Sequence, residues 1–205
     1  MLNRLILKFL NLPTIIAVRF YPAFNRFFFR LKGITFGHNM TIVGKVSIVG
    51  EGGISIGDNF YMSSGNHVNP ISANIQGAFF TDRPEAKIAI GNNVGMSGTR
   101  MWVHDCLTIG DNVKIGGSVL IIDTDSHPID YEVRRKSNEG VKSAPIAIED
   151  DAWIGAHSII LKGVTIGARS IIGAGSVVTK SIPADCIAAG NPCKVIRKNV
   201  ETVMG

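Results

Sequence analysis

In the stretch IAIEDDAWIGAHSIILKGVTIGARSIIGAGSVVTK, Ile146 to Lys180, an aliphatic residue returns at every sixth position: Ile148, Ile154, Ile160, Ile166, Ile172 and Val178. A period of six is too short for helices to alternate with strands. It suits a short strand plus a corner, and three such units close one triangular coil. Each coil points its aliphatic residues at a common axis, where they stack on those of the next coil. Asp-Asn, Asn-Asn or Gly-Ala pairs fall at the corners, where unusual backbone angles are tolerated. Strands of a sandwich would come at longer and less regular spacing.

Working outward, the same frame recurs through Phe36, Ile42, Ile48 and Ile54, through Ile56, Met62 and Val68, and through Val103, Ile109, Ile115 and Ile121. Glycine follows many of these positions, as in Ile90-Gly91 and Ile109-Gly110. The frame slips near Gly52-Gly53 and between Asn69 and Ile88.

The bulk composition fits one main domain with a modest appendage. The 205 residues suffice for a real core, and 45% hydrophobic against 18% charged residues excludes an extended disordered chain. A formal charge of +5 favours anions. The basic residues are dispersed and no nucleic-acid-binding motif is present, so the expected partner is a phosphate-bearing small molecule or an anionic membrane surface, with no nucleic acid. Cys106, Cys186 and Cys193 have no CxxC spacing and are odd in number, which points to buried reduced thiols in a cytoplasmic protein.

The N-terminal run MLNRLILKFLNLPTIIAVRFYPAFNRFFFRLKG is apolar but broken by Arg4, Lys8, Pro13, Arg19 and Arg26, too often for a span of ~20 uncharged residues. It also lacks the features of a cleaved signal peptide. Leu2, Leu5, Ile6, Phe9 and Leu10 recur at helical spacing, the pattern of an amphipathic helix that either caps the main domain or lies on a membrane. Capping is the favoured alternative.

Between Ile121 and Ile146 the repeat stops for its longest polar break, which holds TDSHPIDYEVRRKSNEG, Thr124 to Gly140, with one His-Pro step. A loop leaving a regular wall is where function concentrates, and an imidazole titrating near neutrality suits removal of a proton from a hydroxyl. Asp123 and Asp125 either orient that ring or form corners. The five histidines are at least 23 residues apart, which leaves no close pair of imidazoles for a three-histidine zinc site, so no metal is expected.

On the repeat, the SHP step and the segment IAIEDDAWIGAHSIILKGVTIGARSIIGAGSVVTKSIPADCIAAGNPCKVIRK, the chain resembles the hexapeptide-repeat acyltransferases, in particular their galactoside and maltose O-acetyltransferase branch and the polysaccharide O-acetyltransferases. The resemblance implies an all-β, left-handed parallel β-helix that assembles as a homotrimer, its loop folding over a neighbouring subunit. It implies an acetyl-CoA-dependent O-acetyltransferase without an acyl-enzyme, in which His127 is the base. Positions lining the donor groove would be Ala156, Ala174, Thr179, Lys180, Lys194 and Arg197, with Trp153 near the acetyl end. Acceptor contacts would come from His104 and Asp105, and from Ser97 where those enzymes have asparagine.

That departure at Ser97 and the more apolar, more basic N-terminus argue against a free simple galactoside. A saccharide unit of a surface polysaccharide, or its lipid-linked precursor, is the expected acceptor, with the enzyme in the cytoplasm or peripheral at the inner membrane face through residues 1–30. An amine or antibiotic hydroxyl as acceptor, and a non-catalytic scaffold, are the alternatives. The expected organisation is an N-terminal helical segment (1–33), a β-helix (34–180) with an active-site loop (122–145), and a tail (181–205) completing the donor site. His38, His67 and His157 carry no expected role.

Overall fold

The computed structural model describes residues 12–65, 68–72 and 75–199. The amphipathic pattern at Leu2 to Leu10, and His67, lie outside them.

Three strands make each coil. The first coil is β1 (Thr35–Phe36), β2 (Thr41–Val43) and β3 (Val46–Gly50); the second is β4 (Gly53–Ile56), β5 (Tyr61–Ser63) and β6 (Gly77–Thr81). The third is β7 (Lys87–Ile90), β8 (Gly95–Ser97) and β9 (Arg100–Val103); the fourth is β10 (Cys106–Ile109), β11 (Lys114–Gly117) and β12 (Leu120–Ile122). The fifth is β13 (Ile146–Ile148), β14 (Trp153–Ile154) and β15 (Ile159–Leu161), and the sixth is β16 (Thr165–Ile166), β17 (Ile171–Ile172) and β18 (Val177–Val178). Stacking coil on coil yields three parallel sheets: A through β1, B through β2 and C through β3. Among the strands of the described residues, β20 (Lys194–Lys198) alone runs antiparallel, closing sheet B against β19 (Cys186–Ala189). The prism is a left-handed parallel β-helix.

The hexads are its axis. In sheet C, Ile48, Phe79, Met101, Ile121, Ile160 and Val178 are consecutive register partners, and all from Phe79 onward are buried. Sheet B stacks Ile42, Met62, Met96, Ile115, Ile154 and Ile172 in the same way. Val68 does not continue its hexad. It lies in an excursion after β5, and Phe79 fills the stack position instead.

The corner between sheets A and B shows why Asp and Asn recur. Asn39, Asn59, Asn93 and Asn112 all hold φ near +60°, which asparagine tolerates, and their amides form a ladder at 2.9–3.1 Å. Beside it, Asp111 Oδ1 accepts from Asn92 N (2.6 Å) and Asp150 Oδ1 from Asp111 N (2.8 Å). The glycines after the inward isoleucines are required by close stacking: a Cβ on Gly91 would stand 2.7 Å from the carbonyl carbon of Gly110.

Two helices, α1 (Leu12–Arg19) and α2 (Tyr21–Leu31), close the N-terminal end. Phe29 is fully buried, edge-on to Phe36 and Phe79. Buried Asn25 donates to the carbonyls of Ile42 and Gly44, and Arg26 donates to that of Met40. The first coil has no coil beneath it, so these side chains satisfy carbonyls that the ladder cannot.

Candidate active site

The 123–145 excursion leaves the edge between sheets C and A, where the chain passes from β12 to β13. Its root is a tied turn. Thr124 Oγ1 accepts from Ser126 N at 3.1 Å, Ser126 takes φ +62°, and Thr124 bridges back to Ser143. Asp130 caps the short helix α3 (Tyr131–Arg134), and Arg134 Nη1 donates to the carbonyls of Pro128 (2.7 Å) and Ile129 (2.9 Å). These bonds fold the excursion onto itself around a buried Pro128 and leave His127 exposed. The His127 ring meets one partner, Asn138 Oδ1, 3.3 Å from Nδ1.

Neither aspartate of the loop root orients that ring. Asp123 is fully buried, and its two oxygens accept the backbone N–H groups of His104 and Asp105, each at 2.7 Å. Burial pushes its carboxyl above the ordinary value, against the lowering pull of those two bonds. Asp125 forms an ion pair with Lys162. Both therefore build the corner and fasten the loop.

His104 and Asp105 lie on the same C–A edge, one coil toward the N-terminus. His104 Nδ1 stands 2.7 Å from Asp82 Oδ2. Asp82 follows β6 on that edge, and it gave no signal in the sequence because it lies inside the break in the hexad frame between Asn69 and Ile88. Ser97 lies elsewhere, at the edge between sheets B and C. Its hydroxyl accepts from Ser63 Oγ (2.8 Å) and from Asn69 Nδ2 (3.0 Å), a residue of the 64–76 excursion.

The donor-side residues are distributed in the same way. Ala156 and Ala174 occupy successive B–C corners, where Gly175 N donates to Ala156 O at 2.8 Å. Thr179 and Lys180 are exposed where the sixth coil leaves sheet C. Trp153, 54% exposed, stands on the outer face of sheet B in register with Ile171, which pairs with Ile187 and through it with Arg197. Lys194 opens β20 opposite Ala189. One chain thus brings His127, His104, Asp105, Asp82 and Lys180 to the C–A edge, and Ser97, Ala156 and Ala174 to the B–C edge. His157, at φ +60°, is an exposed B–C corner residue. Among the described residues no cluster of three or more His, Cys, Asp or Glu side chains could hold a metal ion.

Residues 145–180 match the bacterial transferase hexapeptide family (six repeats). This segment is a hexapeptide array. Over 114 residues the chain is 46% identical to the galactoside O-acetyltransferase of Escherichia coli, covering 55% of each protein. The chain thus spans about half the length of the curated relatives it matches. A hexapeptide-repeat acetyltransferase from Vibrio cholerae, solved with acetyl coenzyme A, is 27% identical and superposes with a TM-score of 0.56 over 92% of this chain and 84% of that one. An N-acyltransferase from Bacillus cereus, solved with dTDP-4-amino-4,6-dideoxyglucose and coenzyme A, gives 0.68 over 85% and 89%, and at 22% identity it speaks to the fold alone. The chain resembles the hexapeptide-repeat acyltransferases in both sequence and fold.

Proposed function

We propose that the protein is an acetyl-CoA-dependent O-acetyltransferase whose acceptor is a hydroxyl of a saccharide, and that it works as a homotrimer. The observation that carries the reading is the single exposed imidazole held on the C–A edge, at the loop of a hexapeptide prism, with a neutral amide oxygen at its Nδ1.

With Asn138 Oδ1 accepting from Nδ1–H, the Nε2 lone pair is left to take a proton. The acceptor hydroxyl loses its proton to Nε2 as its oxygen attacks the thioester carbonyl carbon. The tetrahedral intermediate collapses, the C–S bond breaks, and the imidazolium returns the proton to the departing sulfur. No acyl-enzyme is formed. Asp82, His104 and Asp105 supply polar groups for sugar hydroxyls on the same edge. Lys180, Lys194 and Arg197 supply charge for the phosphates of the donor.

The division of these residues between two edges supports the trimer. Sheet C is the face bounded by both. Its outer positions are mostly apolar: Phe80, Trp102, Ile122 and Leu161 form one column in register, and Leu120, Ile159 and Val177 continue another that begins with Ser47, Ala78 and the exposed Arg100. The matching column on sheet A reads Ser55, Ala89, Thr108, Ala147 and Thr165. Turning sheet C toward a threefold axis buries the apolar columns and sets the B–C edge of each subunit beside the C–A edge of the next. Three free cysteines and a coenzyme A donor suit a reducing compartment, which supports a cytoplasmic setting for the proposed reaction.

The test is thiol release from acetyl-CoA with a panel of saccharides and amines, using His127→Ala as the control. Turnover with saccharides that depends on His127 supports the reading. Turnover confined to amines, or a His127→Ala enzyme as fast as the parent, overturns it.

A further inference from the structure

The formal charge is unevenly spread. Residues 1–50 hold seven of the 21 Lys and Arg and none of the 16 Asp and Glu, so the remaining chain, with 14 basic and 16 acidic residues, is slightly negative. The described part of that basic segment is the helical cap and the first coil, and the cap holds Arg19, Arg26 and Arg30, with Lys32 just after it. One face of the cap is accounted for: Ala17, Asn25 and Phe29 are buried against the first coil. The other is not. Ile15, Ile16 and Val18 of α1 are 40%, 43% and 51% exposed, Phe20 between the helices is 56%, and Phe24, Phe27 and Leu31 of α2 are 42%, 60% and 68%.

Phe20, Phe24, Phe27 and Leu31 recur at helical spacing and form a band along α2. Phe20 stacks on Phe24 at 5.4 Å between ring centroids, and Phe24 on Phe28 at 6.2 Å. Arg19 and Lys32 are exposed close to the band in the chain, and the Arg30 guanidinium lies over the Phe36 ring, 5.2 Å from its centroid. A protein partner or a second copy could cover an apolar band of this kind. The complete absence of acidic side chains from the first 50 residues selects for an occupant that is both apolar and densely anionic. Among the described residues no helix is long and apolar enough to cross a bilayer, so the cap would lie on its occupant rather than span it.

We infer that the exposed face of α1 and α2 docks on the surface of an anionic phospholipid membrane, with Phe20, Phe24, Phe27 and Leu31 entering the headgroup boundary and Arg19 and Lys32 meeting lipid phosphates. Resting on the function proposed above, this deepens the acceptor assignment. Coils stack about 4.7–4.9 Å apart, and the His127 loop leaves three to four coils above the cap, roughly 14–20 Å from the surface on that spacing. A saccharide anchored to the membrane by a lipid phosphate would present a hydroxyl at that height. A trimer with its axis along the prism would point three caps the same way, so that modest single contacts combine.

The experiment is co-sedimentation of the full chain with vesicles of phosphatidylcholine alone and of phosphatidylcholine mixed with phosphatidylglycerol, whose anionic surface attracts basic segments. Binding is expected only to the anionic vesicles and is expected to fall as salt is raised. It should drop at least about 10-fold in the triple variant Phe20→Ser, Phe27→Ser, Leu31→Ser, and likewise in Arg19→Glu, Lys32→Glu. All five side chains are exposed, so the variants should keep the parent's circular dichroism and its acetyl transfer to water-soluble saccharides. Equal binding of parent and variants, or no binding by the parent, overturns the inference. So does a change of oligomeric state in the triple variant without a change in vesicle binding, which assigns the face to another copy. Vesicle binding that appears only after residues 1–11 are deleted overturns it too, because that segment is then the occupant. The readout is independent of chemistry, so vesicle binding without transfer would sink the acetyltransferase reading and leave the docking face standing.

Discussion

Asp123, buried at the root of the loop, accepts the backbone N–H of His104 at 2.7 Å, and so ties the element carrying His127 to the C–A edge one coil below. The second oxygen does the same for Asp105. Asp123→Ala strands two part-buried donors, and at about 1–3 kcal/mol for each it should lower unfolding free energy by roughly 2–6 kcal/mol in urea melts.

The same carboxyl sets a pH dependence. Burial raises its folded pKa above the unfolded one, so its contribution to stability is full below the unfolded value and is lost as pH rises through the folded value. The stability of the parent minus that of Asp123→Asn should therefore shrink as pH rises from about 4, the ordinary aspartate value, toward neutrality. A difference that grows over that interval would contradict the direction.

His127→Ala should lower kcat/KM by about 10²–10⁴-fold, the usual range for a general base, without a change in circular dichroism. Asn138 is a positioning residue for that ring. Asn138→Ala should cost about 2–12-fold in kcat, the equivalent of one hydrogen bond of about 0.5–1.5 kcal/mol. The loss should fall on kcat and leave KM for acetyl-CoA unchanged, whereas a merely structural role would move both.

Leu120→Arg with Ile159→Arg places two charges on the outer face of sheet C. Light scattering should then report a monomer, and transfer should be lost because the two edges no longer meet. An assembly of unchanged mass would show that sheet C does not face the axis.

The thiols should be slow. Burial pushes Cys193 up, and burial together with the charge of Asp105 pushes Cys106 up. At neutral pH both should react with a disulfide reagent well below the rate of a free thiol until the protein is unfolded.

The coil period was legible because each hexad repeats one physical requirement, an apolar group at the axis, and six consecutive copies from Ile148 to Val178 leave no other period to fit. The failure at Val68 has the same origin. Period alone cannot tell a hexad from an excursion that happens to carry valine at the sixth place, and the position went to Phe79, which reaches the axis and meets Phe29 of the cap. The loop and its histidine were also readable, since a polar break in a regular wall is visible in one dimension.

What the sequence determined by itself was the repeating element, the prism it builds and the place where the wall opens, because these depend on side-chain type at fixed local spacing. Only the tertiary structure decided that Asp123 serves the backbone of His104 and not the ring of His127, that Asp82 meets His104, and that Ser97 and His127 stand on different edges. Those relationships join residues roughly 20 or more positions apart in the chain, about one turn of a triangular coil or more. Which of them meet is set by how the coils stack and where the excursions leave them.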